Sequence, residues 1–418
     1  MRDQEPDPGP AGRRLTTKEA AEVLGVKPET LYAYVSRGHL SSHRAPGGRG
    51  STFDAKEVEA LARRNRRESG GSSASGAELS VRTRVTMIDT DRYYFRGVDA
   101  AELATRHSYE EVAEWLWTGR LRPRITFTAP DASLAAARRA VDALPEHTGP
   151  TDRLRVAAVA AAAVDPLRFD LSEEAVLGTA RILIPTLVGA LPPVRLSGSD
   201  EGPLAGRLWA RLSGRPPSDA SLRVLDTALA LLVDHDLAAS TLAVRVAASA
   251  RAHAYAAVSA GLGVLEGPLH GAASGLAHKL ILDVLDQGDA APVIADELRS
   301  GRRIPGLGHR LYPGEDPRAR VLFDLLEEIP RSAPALAAAR DIVATAARHT
   351  PLHANVDLAL AVFTASSGMP ATAGETIFAV ARTAGWIAHA LEEYGERPLR
   401  MRPSGHYVGP KPPQPLPE

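Results

Sequence analysis

The chain has 418 residues, 44% of them hydrophobic and 24% charged, with a formal net charge of −1. That length suits two or three domains with sizeable cores, and the balance excludes both a polycation and an acidic solvating chain. With no cysteine, disulfides, thiolate metal sites and cysteine nucleophiles are excluded together.

In chain order, residues 1–14 are rich in Pro, Gly and charge and read as a disordered tail. They hold no apolar core, so no secretory signal is expected there. Residues 15–67 read as one compact unit. Thr17–Leu24 (TKEAAEVL) patterns as a helix capped by Thr16 or Thr17, with Ala20, Val23 and Leu24 on one side. Gly25 turns the chain. Pro28–Arg37 (PETLYAYVSR) reads as a second helix that stops at Gly38. Two short helices across a Gly-containing turn form a helix-turn-helix pattern. Leu40–Phe53, with Gly47 and Gly48 at its tip, is expected to be a two-stranded wing, and Asp54 to cap a third helix over Ala55–Arg66. From Ala11 to Arg67 there are twelve Lys/Arg against six Asp/Glu, a basic unit suited to a phosphate backbone.

Residues 68–78 are Gly/Ser-rich and read as a flexible linker. From about Leu79 to residue 409 the pattern is helical, as in Leu222, Leu225, Leu229 and Leu232. The expected strands are short, near Val85–Asp89 and Tyr93–Phe95. The fold class is therefore mainly α, punctuated by Gly-Pro and Pro-Pro pairs. Residues 410–418 form a Pro-rich tail. The longest apolar run, Val156–Val164, falls far short of the roughly 20 residues of a membrane helix, so a soluble, cytoplasmic protein without a membrane partner is expected.

Three segments stand out from the Ala/Leu background: LEGPLHG (265–271); IPGLGHR (304–310), followed by DPRA (316–319); and HANVD (353–357). Each carries an ionisable group, and glycines beside the first two histidines allow a ligand to approach the main chain. Loops on a rigid scaffold are where sites collect. None is specific alone. A single His commonly packs or is solvated, an Asp after Asn-Val commonly caps a helix, and Arg is plentiful here. Their joint order and spacing carry more.

GPLHG, GLGH with the Arg of DPRA nine residues after its His, NVD, ARTAGWIAHALEE and RP…YVG follow one another in the order that resembles the citrate synthase family. DHDLAAST (234–241) and FRGVDAAELATRHSYEEVAEWLWTGR (95–120) add to the resemblance, which spans roughly residues 79–409. It implies large and small helical domains, the small one at about 272–372. It also implies an acyltransferase that condenses acetyl-CoA with oxaloacetate to citrate and CoA. By the resemblance, Asp357 is the base at the thioester methyl, His270 the donor to the thioester oxygen, and His309 the donor to the ketone. His235, Arg318, Arg382 and Arg402 would hold the dicarboxylate, with Arg402 reaching across a homodimer. Arg303, Ile304, Gly306 and Leu307 would hold CoA. No metal is expected, since no cluster has ligand spacing, and no cofactor beyond the acyl-CoA substrate.

LTTKEAAEVLGVKPETLYAYVSRGHLSSHRAPGGRGSTFDAKEVEAL resembles the MerR/excisionase-type winged helix-turn-helix. That makes Lys27, Thr30, Tyr34 and Arg37 on the second helix, and Arg44 and Arg49 on the wing, candidates for contacts to DNA. Two departures from the synthase pattern stand out. The family's D-H-E-x-N reads DHDLA, so Ala238 replaces an Asn that orients oxaloacetate, and Pro313 replaces a basic residue near the CoA phosphates. Three alternatives remain open: a 2-methylcitrate synthase using propionyl-CoA, a DNA-binding regulator whose synthase-like body senses a metabolite, and a partner-binding protein without activity.

Overall fold

The computed structural model describes residues 14–24, 26, 31, 34–35, 40–44, 51–59, 61, 81–194, 201–267, 270–271, 273–349, 351–414 and 416. The chain divides into two compact units, residues 1–82 and 83–418.

In the first unit, helix Thr17–Leu24 begins with a reciprocal cap. The Thr16 hydroxyl accepts from the Glu19 amide at 3.4 Å, and the Glu19 carboxylate accepts from the Thr16 amide at 2.8 Å. Strands Ser42–Arg44 and Ser51–Asp54 pair antiparallel as the expected wing, and Arg14–Thr16, which the sequence pattern did not single out, adds a third strand beside Ser51–Asp54. Asp54 caps the following helical turn through the Lys56 amide. Leu15, Ala20, Leu31, Leu40, Phe53 and Val58 close the core. Tyr34, expected on the outward face of the second helix, is half-buried against it.

The second unit opens with a small antiparallel sheet, Thr86–Ile88, Tyr93–Phe95 and Val98–Asp99, and is otherwise helical. Asp99 and Ser108 cap successive helices, Ala100–Arg106 and Tyr109–Thr118, the second through a full capping box with Glu111. The helix Ala373–Tyr394 runs through the middle. It is buried on every side, with Val380, Trp386 and Ile387 beside the buried polar Arg382, His389 and Glu393, as expected of a helix enclosed by others. It packs against helices Glu173–Ala190, Asp219–Leu232, Ala239–Ser249 and Ala254–Leu265. Helix Ala273–Gln287 lies against Val356–Ser366, which also meets Pro317–Glu327 and Ala333–Ala347. No helix of the described residues is long and apolar enough to cross a membrane.

Two glycines let loops approach helices closely. A Cβ on Gly385 would overlap the Val233 carbonyl and lie 2.9 Å from Asp234 Oδ1, so only glycine lets the 233–236 turn rest on the central helix. Gly306 has φ +82° and would meet Leu358 Cβ at 2.8 Å, which seats the 303–310 loop on the helix Val356–Ser366.

Candidate active site

Three helix starts and two loops enclose a cleft of about 300 Å³. It is lined by His235, Ala238, His270, His309, Arg318, Asp357, Phe378 and Arg382, among others. The structure thus brings together residues that lie up to 147 positions apart in the sequence. The first turns of Ala239–Ser249, Pro317–Glu327 and Val356–Ser366 face this space, and helix N-termini favour negative charge.

Each side chain is held by local geometry. Asp357 follows Asn355, whose Oδ1 accepts from the Asp357 amide at 3.0 Å while its Nδ2 donates to the Gly308 carbonyl at 2.9 Å. One capping residue therefore ties the Asp357 helix to the His309 loop, and a bridge between Leu307 and Ala354 supports it. Asp316 caps helix Pro317–Glu327 and grips Arg318 with both oxygens, Oδ1 to Nε at 2.9 Å and Oδ2 to Nη2 at 2.7 Å. Asp316 Oδ2 also accepts from the Val356 amide at 3.0 Å, so this one carboxylate aligns both helices. Arg318 is 2% exposed and Arg382 1%. Arg382 donates from Nε to the Leu232 carbonyl at 3.0 Å, and its guanidinium stacks 4.5 Å from the Phe378 ring.

The Leu311 amide donates to His309 Nδ1 at 3.1 Å. That places the His309 proton on Nε2, since the ring nitrogen that accepts cannot carry it. His309 Nε2 and Arg318 Nη2 lie 3.3 Å apart; both are then donors, and a ligand oxygen between them would satisfy both. His270 Nε2 meets the buried Ser240 hydroxyl at 2.7 Å, and His235 Nε2 meets the Tyr312 hydroxyl at 2.8 Å. Asp236, next in the turn, holds φ +59°, a conformation that costs a non-glycine residue about 1 kcal/mol.

The electrostatics divide acids from bases. Burial, then Arg318, takes His309 down to about 4. Burial and Arg382 lower His270. Burial, then the Arg318 and Arg382 cations, holds His235 well below the usual histidine range. All three are neutral at neutral pH. Burial raises Asp357 to about 6, against the opposing pull of Arg318. Burial also disfavours the Asp316 carboxylate, but the charge and hydrogen bonds of Arg318 outweigh it and keep Asp316 low. Burial brings Arg382 down to about 10, so it stays a cation.

A second groove of about 650 Å³ joins the cleft at His309 and Arg310. Arg303, Ile304 and Leu307 line it, with Arg302 and His349. Gly306 does not; it is buried behind the loop against Leu358. Arg402 is exposed and lies outside the cleft of its own chain. Among the described residues, no group of three or more His, Asp or Glu is placed to hold a metal ion. Of the nucleic-acid candidates, Lys27, Thr30, Arg37 and Arg49 lie outside the described residues; Arg44 is in a wing strand.

Sequence reading missed Ser240, Tyr312, Asp316 and Phe378. Asp316 was legible as a helix cap in front of Pro317. Ser240 and Tyr312 act through partners distant in the chain, whereas Phe378 sits just ahead of ARTAGWIAHALEE on the same helix, and its i, i+4 spacing to Arg382 was a signal that could have found it.

The family described as "Citrate synthase, C-terminal domain" matches residues 77–404, and one described as "Helix-turn-helix domain" matches residues 14–66. The chain is 31% identical to a citrate synthase of Haloferax volcanii over 80% of this chain and 94% of that one. It is 28% identical to a 2-methylcitrate synthase of Shewanella oneidensis over 77% and 90%. The crystal structure of citrate synthase from Thermotoga maritima MSB8 superposes with a TM-score of 0.63 at 25% identity, covering 82% of this chain and 96% of that one.

Proposed function

The chain belongs to the citrate synthase family, and from that premise we propose that its C-terminal unit condenses acetyl-CoA with oxaloacetate to citrate and CoA. The single observation that carries the reading is one cleft in which a carboxylate, three neutral histidines and two buried arginines converge. Asp357 takes a proton from the thioester methyl. A carboxylate raised to about 6 is a stronger base than a solvated one and is still ionised at pH 7. Ser240 occupies His270 Nε2, leaving Nδ1 to donate to the thioester oxygen as the enol forms. His309 Nε2–H donates to the ketone oxygen, and the enol carbon attacks the ketone carbon. Water then cleaves the citryl thioester and CoA leaves. Preorganised donors at the two oxygens where charge grows supply the largest share of such catalysis.

Arg318 and Arg382 hold the dicarboxylate. Asp316 already occupies Arg318 Nε and one side of Nη2, so the remaining donors of the fork face the ligand. His235 adds a neutral donor. The groove along Arg303, Ile304 and Leu307 takes the CoA portion, and the shared lining at His309 and Arg310 carries the thioester end into the cleft. No metal or bound cofactor is needed for these steps.

The enzyme acts as a homodimer in which Arg402 completes the partner's site. Two features support this: Arg402 is exposed and lies outside its own chain's cleft, and the packed helices Pro150–Ala163, Ala239–Ser249 and Ala254–Leu265 leave Val159, Val246 and Val264 exposed. The basic helix-turn-helix unit binds DNA, with Lys27, Thr30, Tyr34, Arg37, Arg44 and Arg49 as contacts, and the protein works in the cytoplasm. Ala238 lines the cleft and offers its helix no side-chain cap. Propionyl-CoA is the alternative acyl donor, a reading supported by the likeness to the 2-methylcitrate synthase of Shewanella oneidensis.

Free thiol release measured with acetyl-CoA and with propionyl-CoA tests the reading, and the chain's lack of cysteine removes protein background. Release that requires oxaloacetate is the expected result, and the ratio of the two thioesters names the donor. No release from either thioester by folded protein that binds oxaloacetate would point to metabolite sensing instead.

A further inference from the structure

Behind the lining of the cleft, against His235 and His309, lies an aromatic side chain that the proposed chemistry leaves unused. Tyr312 is 2% exposed. Its hydroxyl lies 2.8 Å from His235 Nε2, and its ring lies 4.9 Å from the His309 ring at 31°. The Arg318 guanidinium is 6.0 Å from the Tyr312 ring centre. Tyr93 is the other tyrosine beside His235, with ring centres 5.7 Å apart, but its hydroxyl donates to the Leu231 carbonyl at 3.1 Å. Tyr312 is therefore the hydroxyl that meets the His235 ring nitrogen.

A neutral imidazole carries one proton, and its position decides whether it offers a ligand a donor or a lone pair. Two arrangements satisfy the 2.8 Å contact. Tyr312 donates to Nε2 and the proton sits on Nδ1, or Nε2–H donates to the phenol oxygen and Nδ1 is bare. Arg318, Arg382 and His309 all face this ring as cations or donors, which suits an anion in the space they enclose. A bare Nδ1 would present a lone pair to that anion. Burial pushes the Tyr312 hydroxyl well above its ordinary value, so it keeps its proton to give.

We propose that Tyr312 is a positioning residue, whose hydroxyl donates to His235 Nε2 and so fixes the proton on Nδ1 as a donor to a bound dicarboxylate. The reading rests on the proposed synthase function for the ligand, but the tautomer is a property of the free protein. Tyr312 thereby separates the two histidines it touches: it orients His235 through the hydroxyl and His309 through the ring. Tyr312→Phe removes the first and keeps the second.

The test is nitrogen NMR of protein labelled with ¹⁵N-histidine, the His235 signals assigned by loss in His235→Ala. Wild type should show the Nδ1–H tautomer, and Tyr312→Phe a mixture or the Nε2–H form. In parallel, loss of one neutral hydrogen bond should raise KM for oxaloacetate about two- to tenfold. KM for the thioester and kcat should stay within about twofold, a split that a general loss of packing would not give. An Nε2–H tautomer in wild type would overturn the proposal, and that measurement requires no variant to fold. An unchanged KM for oxaloacetate in Tyr312→Phe would also overturn it. Absence of turnover in wild type would count against the synthase reading alone, since the tautomer is still decided by NMR.

Discussion

The site's clearest conflict between stability and chemistry lies at Asp357. Its carboxyl rises from 3.8 to about 6 because it is buried, and one pKa unit is worth about 1.4 kcal/mol between the two protonation states. A rise of roughly two such units sets a ceiling of ~3 kcal/mol for the cost of keeping Asp357 ionised in the folded protein. The side chain is only partly enclosed, and contact with solvent in the cleft reduces this to roughly 1–2 kcal/mol. The sign follows from linkage. For an acid whose folded value is raised, the cost is absent below the unfolded value, grows as pH climbs from the unfolded to the folded value, and is at its full size above the folded one. Asp357→Asn keeps the shape and removes the charge. It should therefore stabilise the protein at pH 7 by roughly 1–2 kcal/mol, with the gain fading as the pH falls toward 4. The same substitution should lower kcat by about 10²–10⁴ by removing the base. Chemical denaturation across that pH range, with thiol release on the same samples, reads both. A variant less stable than wild type at pH 7, or a gain independent of pH, would refute the reasoning.

Because the base acts ionised, kcat/KM should fall with pH below an apparent pKa near 6, tenfold per unit. The His309 value of about 4 adds no break above pH 5, and a pH–rate series checks this. Asp316→Ala should strand a buried Arg318 and cost about 3–5 kcal/mol by denaturant midpoint, far more than removing an exposed carboxylate. Arg402→Ala should raise KM for oxaloacetate roughly 10- to 100-fold through loss of a charged hydrogen bond. Mixing it with Asp357→Asn should restore turnover, because one site of each mixed dimer then contains both residues; no recovery would place Arg402 in its own chain's site.

Much of this was legible in the sequence, for identifiable reasons. The first helix, its Thr16 cap and the paired wing strands follow from local pattern, and all three form. The mainly α body follows from spacing of three and four. Strands Arg14–Thr16 and Val98–Asp99 escaped notice because they are two or three residues long and owe their existence to neighbours. His270, His309, Asp357, Arg318 and Arg382 were found through the order of short motifs, and the cleft gathers them. Asp316, Ser240 and Tyr312 were not, because each acts by a contact across the fold. Asp316 illustrates this: the DPR motif announces a helix start, while its bond to the Val356 amide, 40 positions away, exists only in three dimensions.

The central claim is that one cleft couples proton removal at a thioester to carbon–carbon bond formation with a dicarboxylate. Citrate and free thiol quantified together, from acetyl-CoA with and without oxaloacetate, test it most directly. The account predicts one citrate per thiol, no thiol without oxaloacetate, and the loss of both in Asp357→Asn. Thiol released without oxaloacetate, or without citrate, would reveal thioester hydrolysis and contradict it.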